Sequence, residues 1–333
     1  MSNRRVLLRS RPTGVAQAED FEIDEQPVPV PGDGEILIRN HVLSVEPAMR
    51  GWIADAGNYA QPVPIGSVMR ALATGEVVSS NDPVYAVGDL VTGWFGWQDY
   101  ALVSAGAIVR KIAERDLPSS LSLGVLGING VTAYLALTGI GQPRAGETVV
   151  VSTAAGAVGS AAGQIARILG CRAIGITKGE AKRRLCTETF GFEAAIDYAE
   201  DDIGGRLAEL CPSGIDIYYD NTAGAISDAV YRHLANRARV VVCGTAAIQS
   251  WADWPTGPRV ERHLLVKRAR MEGFVIFDHM DRYEEAVAQL ATWVRERKLS
   301  YREEILDGIE ACPDALAGLY RGENLGKRLI RLV

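Results

Sequence analysis

The sequence predicts an α/β protein in two parts: a β-rich first third of barrel or sandwich type, then a doubly wound parallel sheet. Three observations carry this. Residues 1 to about 120 alternate β-formers with turn signals and contain no long helical pattern. From about residue 121, six short apolar runs alternate with amphipathic segments. The first of those runs opens into "VVVSTAAGAVGS" at residues 149–160, close to the glycine fingerprint that follows the first strand of a dinucleotide-binding sheet.

The elements follow in order. "GEILIRNHVLSVEP" reads as an extended run stopped by Pro47, and "YAVGDLVTGWFGWQDYALV" as β-formers punctuated by glycine. Turn signals such as "PVPGDG" and "SSND" fall between such runs. "LGVLGINGVTAYLALTGI" has helical spacing. The six runs "TVVVST", "RAIGIT", "AAID", "IDIYYD", "RVVVCG" and "MEGFVI" are the predicted strands. Helices are predicted over 158–169, 179–190 and 224–236; in the first, Val158, Ala161, Ala162, Ile165 and Leu169 share a face. Buried strands with interposed helices form a doubly wound sheet. The tail "SYREEILDGIE…LGKRLIRLV" returns to short strands around one helix.

Composition narrows the function. Of 333 residues 47% are hydrophobic and 23% charged, enough apolar material for two soluble domains. The net charge of −6 and the lack of a long basic block argue against nucleic acid or an anionic membrane as partner. The opening "MSNRRVLLRSRPTG" has no apolar signal core, and no run reaches 18 apolar residues, so a cytoplasmic protein is expected. Five scattered cysteines fit that reducing compartment. Neither they nor the four histidines fall in metal-ligand spacing, so no metal is expected.

The glycine turn supplies the chemistry. Gly156 lets backbone approach a pyrophosphate, Gly159 lets the following helix pack on the strand, and the helix N-terminus offers free N–H groups to phosphate. Alanine at 154, in the first glycine's position, requires only that φ there not be positive. The next strand ends at Thr177. An NAD site usually carries an acid there to hold the ribose hydroxyls. Here Lys178, Lys182, Arg183 and Arg184 follow, with Glu180 the only acid nearby, which suits a 2′-phosphate and therefore NADPH.

The segments "LSVEPAMRG", "GDLVTGWFGWQDYAL", "LGVLGINGVTAYLAL", "AAGAVGSAAGQIAR", "YYDNTAG", "RMEGFVI" and "ENLGK" run in order through almost the whole chain. With them the chain resembles the zinc-independent medium-chain dehydrogenase/reductases, in the branch of prostaglandin, curcumin and alkenal double-bond reductases. The resemblance implies a GroES-like barrel from residues 1–122 completed by 300–333, a Rossmann domain at 123–299, and a homodimer joined through the sheet edges. It implies that Gly156, Ala157, Val158 and Gly159 hold the pyrophosphate, Lys182 the 2′-phosphate, and that Tyr198 lies near the adenosine. Asn221, Cys243, Gly244, Thr245, Gln249, Phe274, Val275, Ile276 and Asn324 would line the rest of NADPH. From the residues alone, Asn221 and Asn324 read as turn caps, since asparagine often bonds its own backbone; only the resemblance gives them a cofactor role. The family's usual "DPYMR" is here Glu46, Pro47, Ala48, Met49, Arg50, so a tyrosine is lost at 48, and Gln249 stands where a second tyrosine is common. Both positions border the family's substrate pocket.

The implied reaction is NADPH-dependent reduction of the C=C bond of an α,β-unsaturated ketone or aldehyde. Tyr59 is the candidate donor to the substrate oxygen, or else an ordinary surface tyrosine. Ala48, Arg50, Trp52, Trp94 and Gln249 are candidates for the substrate pocket. Trp52, Trp94 and Trp97 suit either apolar walls or the barrel core. Two alternatives stay open: an NADPH quinone reductase, and a catalytically silent NADPH-binding sensor.

Overall fold

The computed structural model describes residues 2–55, 59–247 and 256–333. Along the chain come β1 (Ser2–Leu8), β2 (Phe21–Pro27), β3 (Glu35–Ser44), helix α1 (Met49–Trp52), β4 (Ala73–Ser80), β5 (Leu90–Gly93), β6 (Tyr100–Ser104) and β7 (Ile108–Lys111). Then α2 (Ile128–Ala136) leads into β8 (Thr148–Ser152), α3 (Ala157–Ile168), β9 (Arg172–Thr177), α4 (Glu180–Arg184), β10 (Ala194–Asp197) and α5 (Ile203–Leu210). The sequence continues with β11 (Ile215–Asp220), α6 (Gly224–Tyr231), β12 (Leu234–Val242), α7 (Glu261–Lys267), β13 (Arg270–Gly273) and α8 (Tyr283–Arg295). The tail gives β14 (Glu303–Asp307), α9 (Cys312–Arg321) and β15 (Lys327–Arg331).

These elements form two compact units. One holds the described residues up to Leu123 together with Glu303–Val333. Its larger sheet runs β14-β15-β3-β4-β5-β7, with β6 paired to β3, while β1 and β2 form a separate antiparallel pair. The tail joins this unit by pairing: Leu329 and Ile330 of β15 lie opposite Ser44 and Leu43 of β3. Val6, Ile36, Leu43, Met49, Trp97 and Ile330 are buried in its core. Trp97 is fully buried and donates its indole N–H to the Ser44 carbonyl at 3.0 Å, so it is a core residue and lines no pocket wall.

The other unit holds the described residues between Gly124 and Arg302. Its six strands are all parallel, in the order β10-β9-β8-β11-β12-β13. That is the 3-2-1-4-5-6 order of a dinucleotide-binding sheet, and its direction reverses between β8 and β11. Val149, Val150 and Val151 are fully buried. A parallel strand covered on both faces reads as a continuous apolar run instead of an alternating one.

Two helices differ from the sequence reading. The predicted 179–190 helix is only α4 followed by a widened turn, Leu185–Thr189. The predicted 224–236 helix stops at Tyr231, because β12 begins at Leu234, opposite Ile215 of β11. Strand pairing there overrides the helical spacing.

Candidate functional site

β8 delivers the chain to the turn that the fingerprint foretold. The left-handed residue of the turn is Thr153 (φ 53°) and not position 154, so alanine is accommodated without strain and buried. Gly156 is extended (φ −79°, ψ 171°) and immediately precedes α3, so Ala157, Val158 and Gly159 form that helix's first turn. No side chain caps it. The first-turn N–H groups and the positive end of the helix dipole are thus left for an anion. A β-carbon on Gly159 would come within 2.3 Å of the Thr153 carbonyl oxygen, so only glycine allows the helix to sit this close to the strand.

The end of β9 carries the basic group. Lys178 is exposed and Lys182 half-buried on α4. Arg183 pairs with Glu180 at 3.5 Å and Arg184 with Glu188 at 2.9 Å, so these two serve the surface of α4. Tyr198 donates its backbone N–H to the Thr177 carbonyl (3.0 Å), which brings its exposed ring beside the end of β9. Burial, helped by the charge of Asp197, raises the Tyr198 phenol. Sequence reasoning missed Asp197. This buried carboxylate accepts the N–H groups of Gly179 (2.8 Å) and Ala199 (3.1 Å), so the acid in this neighbourhood is engaged with backbone.

The ends of β11 and β12 are laced together. Cys243 and Gly244 both donate backbone N–H to the Asp220 carbonyl, at 2.8 and 3.1 Å, and Ala246 donates to that of Asn221 at 3.1 Å. Thr245 lies between them, half-buried. Asn221 reaches across to β8: its backbone N–H meets Ser152 Oγ and its Nδ2 meets the Ser152 carbonyl, both at 2.8 Å. Burial pushes the Cys243 thiol up to about 11, so it stays protonated at neutral pH and is no nucleophile. Phe274 donates its backbone N–H to Val242 at 2.9 Å and stacks on His279 at 4.7 Å, with Val275 half-buried and Ile276 buried after it.

Beneath this ledge Asp220 is 1% exposed and surrounded by donors, a second feature the sequence did not disclose. Oδ1 accepts Tyr218 Oη at 3.0 Å and the N–H groups of Thr222 and Ala223, each at 2.9 Å. Oδ2 accepts Ser227 Oγ at 2.6 Å. Turning both N–H groups inward holds Ala223 at φ 60°, ψ −164°, a region essentially reserved for glycine.

The other unit carries the remaining candidates. Ala48 opens the short helix α1, and Arg50 and Trp52 within it are buried. Trp52 meets Trp94 edge-on, with ring centroids 5.6 Å apart. Arg50 Nε and Nη1 are buried without a hydrogen-bond acceptor, and burial lowers this guanidinium. Tyr59 is 54% exposed, on a loop whose base is tied by Val63 N–H to the Trp52 carbonyl (2.7 Å) and by Arg11 to the Ile53 and Val63 carbonyls (2.7 and 3.1 Å). Tyr320, 261 residues further along the chain, interacts electrostatically with both Arg50 and Tyr59, and its hydroxyl donates to the Pro47 carbonyl at 2.7 Å. Asn324 donates Nδ2 to the Gly326 carbonyl at 2.9 Å, the turn-capping geometry its sequence context allows. Nearby Lys327 is buried and donates to Ser44 Oγ, the Val45 carbonyl and Glu46 Oε1 at 2.7, 3.0 and 2.7 Å, which fixes the chain entering α1. Gln249 lies outside the described residues.

Comparison with known proteins gives a consistent set of relatives. A family model described as the N-terminal domain of oxidoreductase matches residues 4–112, and one described as zinc-binding dehydrogenase matches 157–292. The chain is 44% identical to the NADPH-dependent curcumin reductase of Escherichia coli (strain K12), over 99% of this chain and 97% of that protein. It is 35% identical to the NADP+-dependent 2-alkenal reductase of Nicotiana tabacum, over 99% and 97%. The crystal structure of CurA from Vibrio vulnificus in complex with NADPH matches at a TM-score of 0.92 and 41% identity, over 99% of each chain.

Proposed function

We propose that this chain, which belongs to the medium-chain dehydrogenase/reductase family in its branch of curcumin and alkenal reductases, is an NADPH-dependent reductase of the C=C bond of α,β-unsaturated ketones and aldehydes. Its two units are the GroES-like and Rossmann domains of that family. The observation that carries the reading is the uncapped α3 N-terminus behind a turn that only glycine at 159 permits, with lysines after β9. These residues fit a pyrophosphate and a 2′-phosphate.

In this reading the first turn of α3 holds the pyrophosphate, Lys178 and Lys182 hold the 2′-phosphate, and Tyr198 covers the adenosine. Asn221, Cys243–Thr245, Gln249, Phe274–Ile276 and Asn324 line the remainder. Bound NADPH supplies a hydride to the β-carbon of the substrate. Negative charge then gathers on the carbonyl oxygen, where a preorganised donor lowers the barrier. Tyr59 is that donor, with Ala48, Arg50, Trp52, Trp94 and Gln249 bordering the substrate. The α-carbon takes its proton from solvent.

The reading includes three finer points. It takes the reaction to be metal-independent, which chelator treatment tests. It is cytoplasmic, which the free cysteines favour. It is a homodimer through the sheet edge: β13 ends the sheet, and on the neighbouring α7 Leu265 and Val266 are 79% and 56% exposed. The experiment is NADPH consumption with a panel of enones and quinones, with and without chelator. Turnover of enones, insensitive to chelator, with saturated ketones as products supports the reading; turnover confined to quinones overturns it.

A further inference from the structure

Asp220 closes β11 at the point where the strand order reverses, the point at which open α/β sheets bind their ligands beyond the carboxyl ends of the strands. Besides the bonds already described it lies within hydrogen-bond distance of Ser152 Oγ at 3.3 Å and Thr222 Oγ1 at 3.4 Å. Every partner is a neutral hydroxyl or backbone N–H, and among the described residues no lysine, arginine or histidine forms an ion pair with it. Two fixed backbone donors and a ring of hydroxyls surround its oxygens. Its charge is therefore solvated by dipoles but not cancelled, in an interior where fields are weakly screened.

The lysines after β9 assign the adenosine half of a dinucleotide to the β9 side of the sheet. The nicotinamide half of a bound dinucleotide would then lie on the β11 side of the sheet, toward the strand end that Asp220 closes. We propose that Asp220 sets the relative affinity of this chain for the two redox forms of its cofactor, its fixed negative charge favouring NADP+ over NADPH. A nicotinamide ring carries a positive charge only in its oxidised form, so a fixed negative charge at this strand end would favour NADP+ and slow its loss. Asn221 and the Ser152 bridge keep that charge in register with the α3 turn. The inference rests on the NADPH reading above.

The test is direct binding, by calorimetric titration of NADPH and of NADP+ into wild type, Asp220→Asn and Ser227→Ala. Asp220→Asn removes the charge with little change of shape, and Asp220→Thr is a second neutral variant should the first not fold. Both should weaken NADP+ about tenfold more than NADPH, a difference of ~1.4 kcal/mol. Ser227→Ala, which keeps the charge and removes one hydroxyl, should change the two affinities alike. Equal losses for both forms in the neutral variants would make Asp220 a scaffold for the turn and overturn the inference. A wild-type protein that binds neither form would instead overturn the NADPH reading itself.

Discussion

Replacing Gly159 with alanine tests how the nucleotide cradle is built. The added methyl carbon would lie 2.3 Å from the Thr153 carbonyl oxygen, 2.9 Å from its carbonyl carbon and 3.1 Å from Ala154 Cα. All three are backbone atoms, so no side chain can swing aside. The N-terminus of α3 must move outward by about an ångström, and overpacking of this kind costs ~1–3 kcal/mol. For a unit of this size that lowers the melting temperature by roughly 2–12 °C. If the α3 N-terminus holds the pyrophosphate as proposed, the larger effect is on binding, because its N–H groups would be displaced. NADPH affinity, read by titration, should fall tenfold or more, equivalent to ~1.4 kcal/mol. Gly139→Ala is the control, since nothing lies within 4 Å of a β-carbon there, and it should leave both readings near wild type. If Gly159→Ala binds NADPH as tightly as wild type, the helix N-terminus does not hold the pyrophosphate.

Three further outcomes follow from the same geometry. Lys182→Ala should raise the KM for NADPH about tenfold or more while NADH kinetics barely change, since a charge-assisted bond is worth ~1.5–3 kcal/mol; equal losses with both cofactors would transfer the role to Lys178. Ala223→Gly should raise the stability of the nucleotide unit by up to ~2.5 kcal/mol in thermal or urea unfolding, because φ 60°, ψ −164° strains alanine by ~1–3 kcal/mol and glycine's extra freedom in the unfolded chain takes back ~0.4–1 kcal/mol; a loss of stability would mean that the strain is absent. Tyr59→Phe should lower kcat by well beyond tenfold, toward the ~10²–10³ typical of losing one preorganised donor, with NADPH affinity unchanged; near-normal turnover would make Tyr59 a surface residue and point to another donor.

What the sequence discloses here is what local pattern can encode. The strands of the nucleotide sheet are legible because burial on both faces turns each into an apolar run, as in Val149–Val151. The strand–turn–helix around Gly156 and Gly159 is legible because its two glycines and the strand before them are contiguous. Thr153 as the left-handed residue is not, because threonine carries no signal for that conformation. Nor are the roles of Asp197 and Asp220: an acid at a strand end looks the same whether it meets solvent or the backbone donors of adjoining turns, such as Gly179 for Asp197 and Thr222 for Asp220. The early start of β12 is hidden because Leu234 suits either period until it pairs with Ile215. Tyr320 and Lys327 reach α1 only through the return of the tail to β3, a long-range pairing that periodicity does not record.

The central claim, hydride from NADPH to the β-carbon of an enone, is tested most directly by isotope tracing. Reduction of a simple enone with C4-deuterated NADPH, read by NMR of the product, should yield a saturated ketone with deuterium on the β-carbon and an intact carbonyl. An allylic alcohol with deuterium on the carbonyl carbon would contradict the account and make the protein an alcohol dehydrogenase.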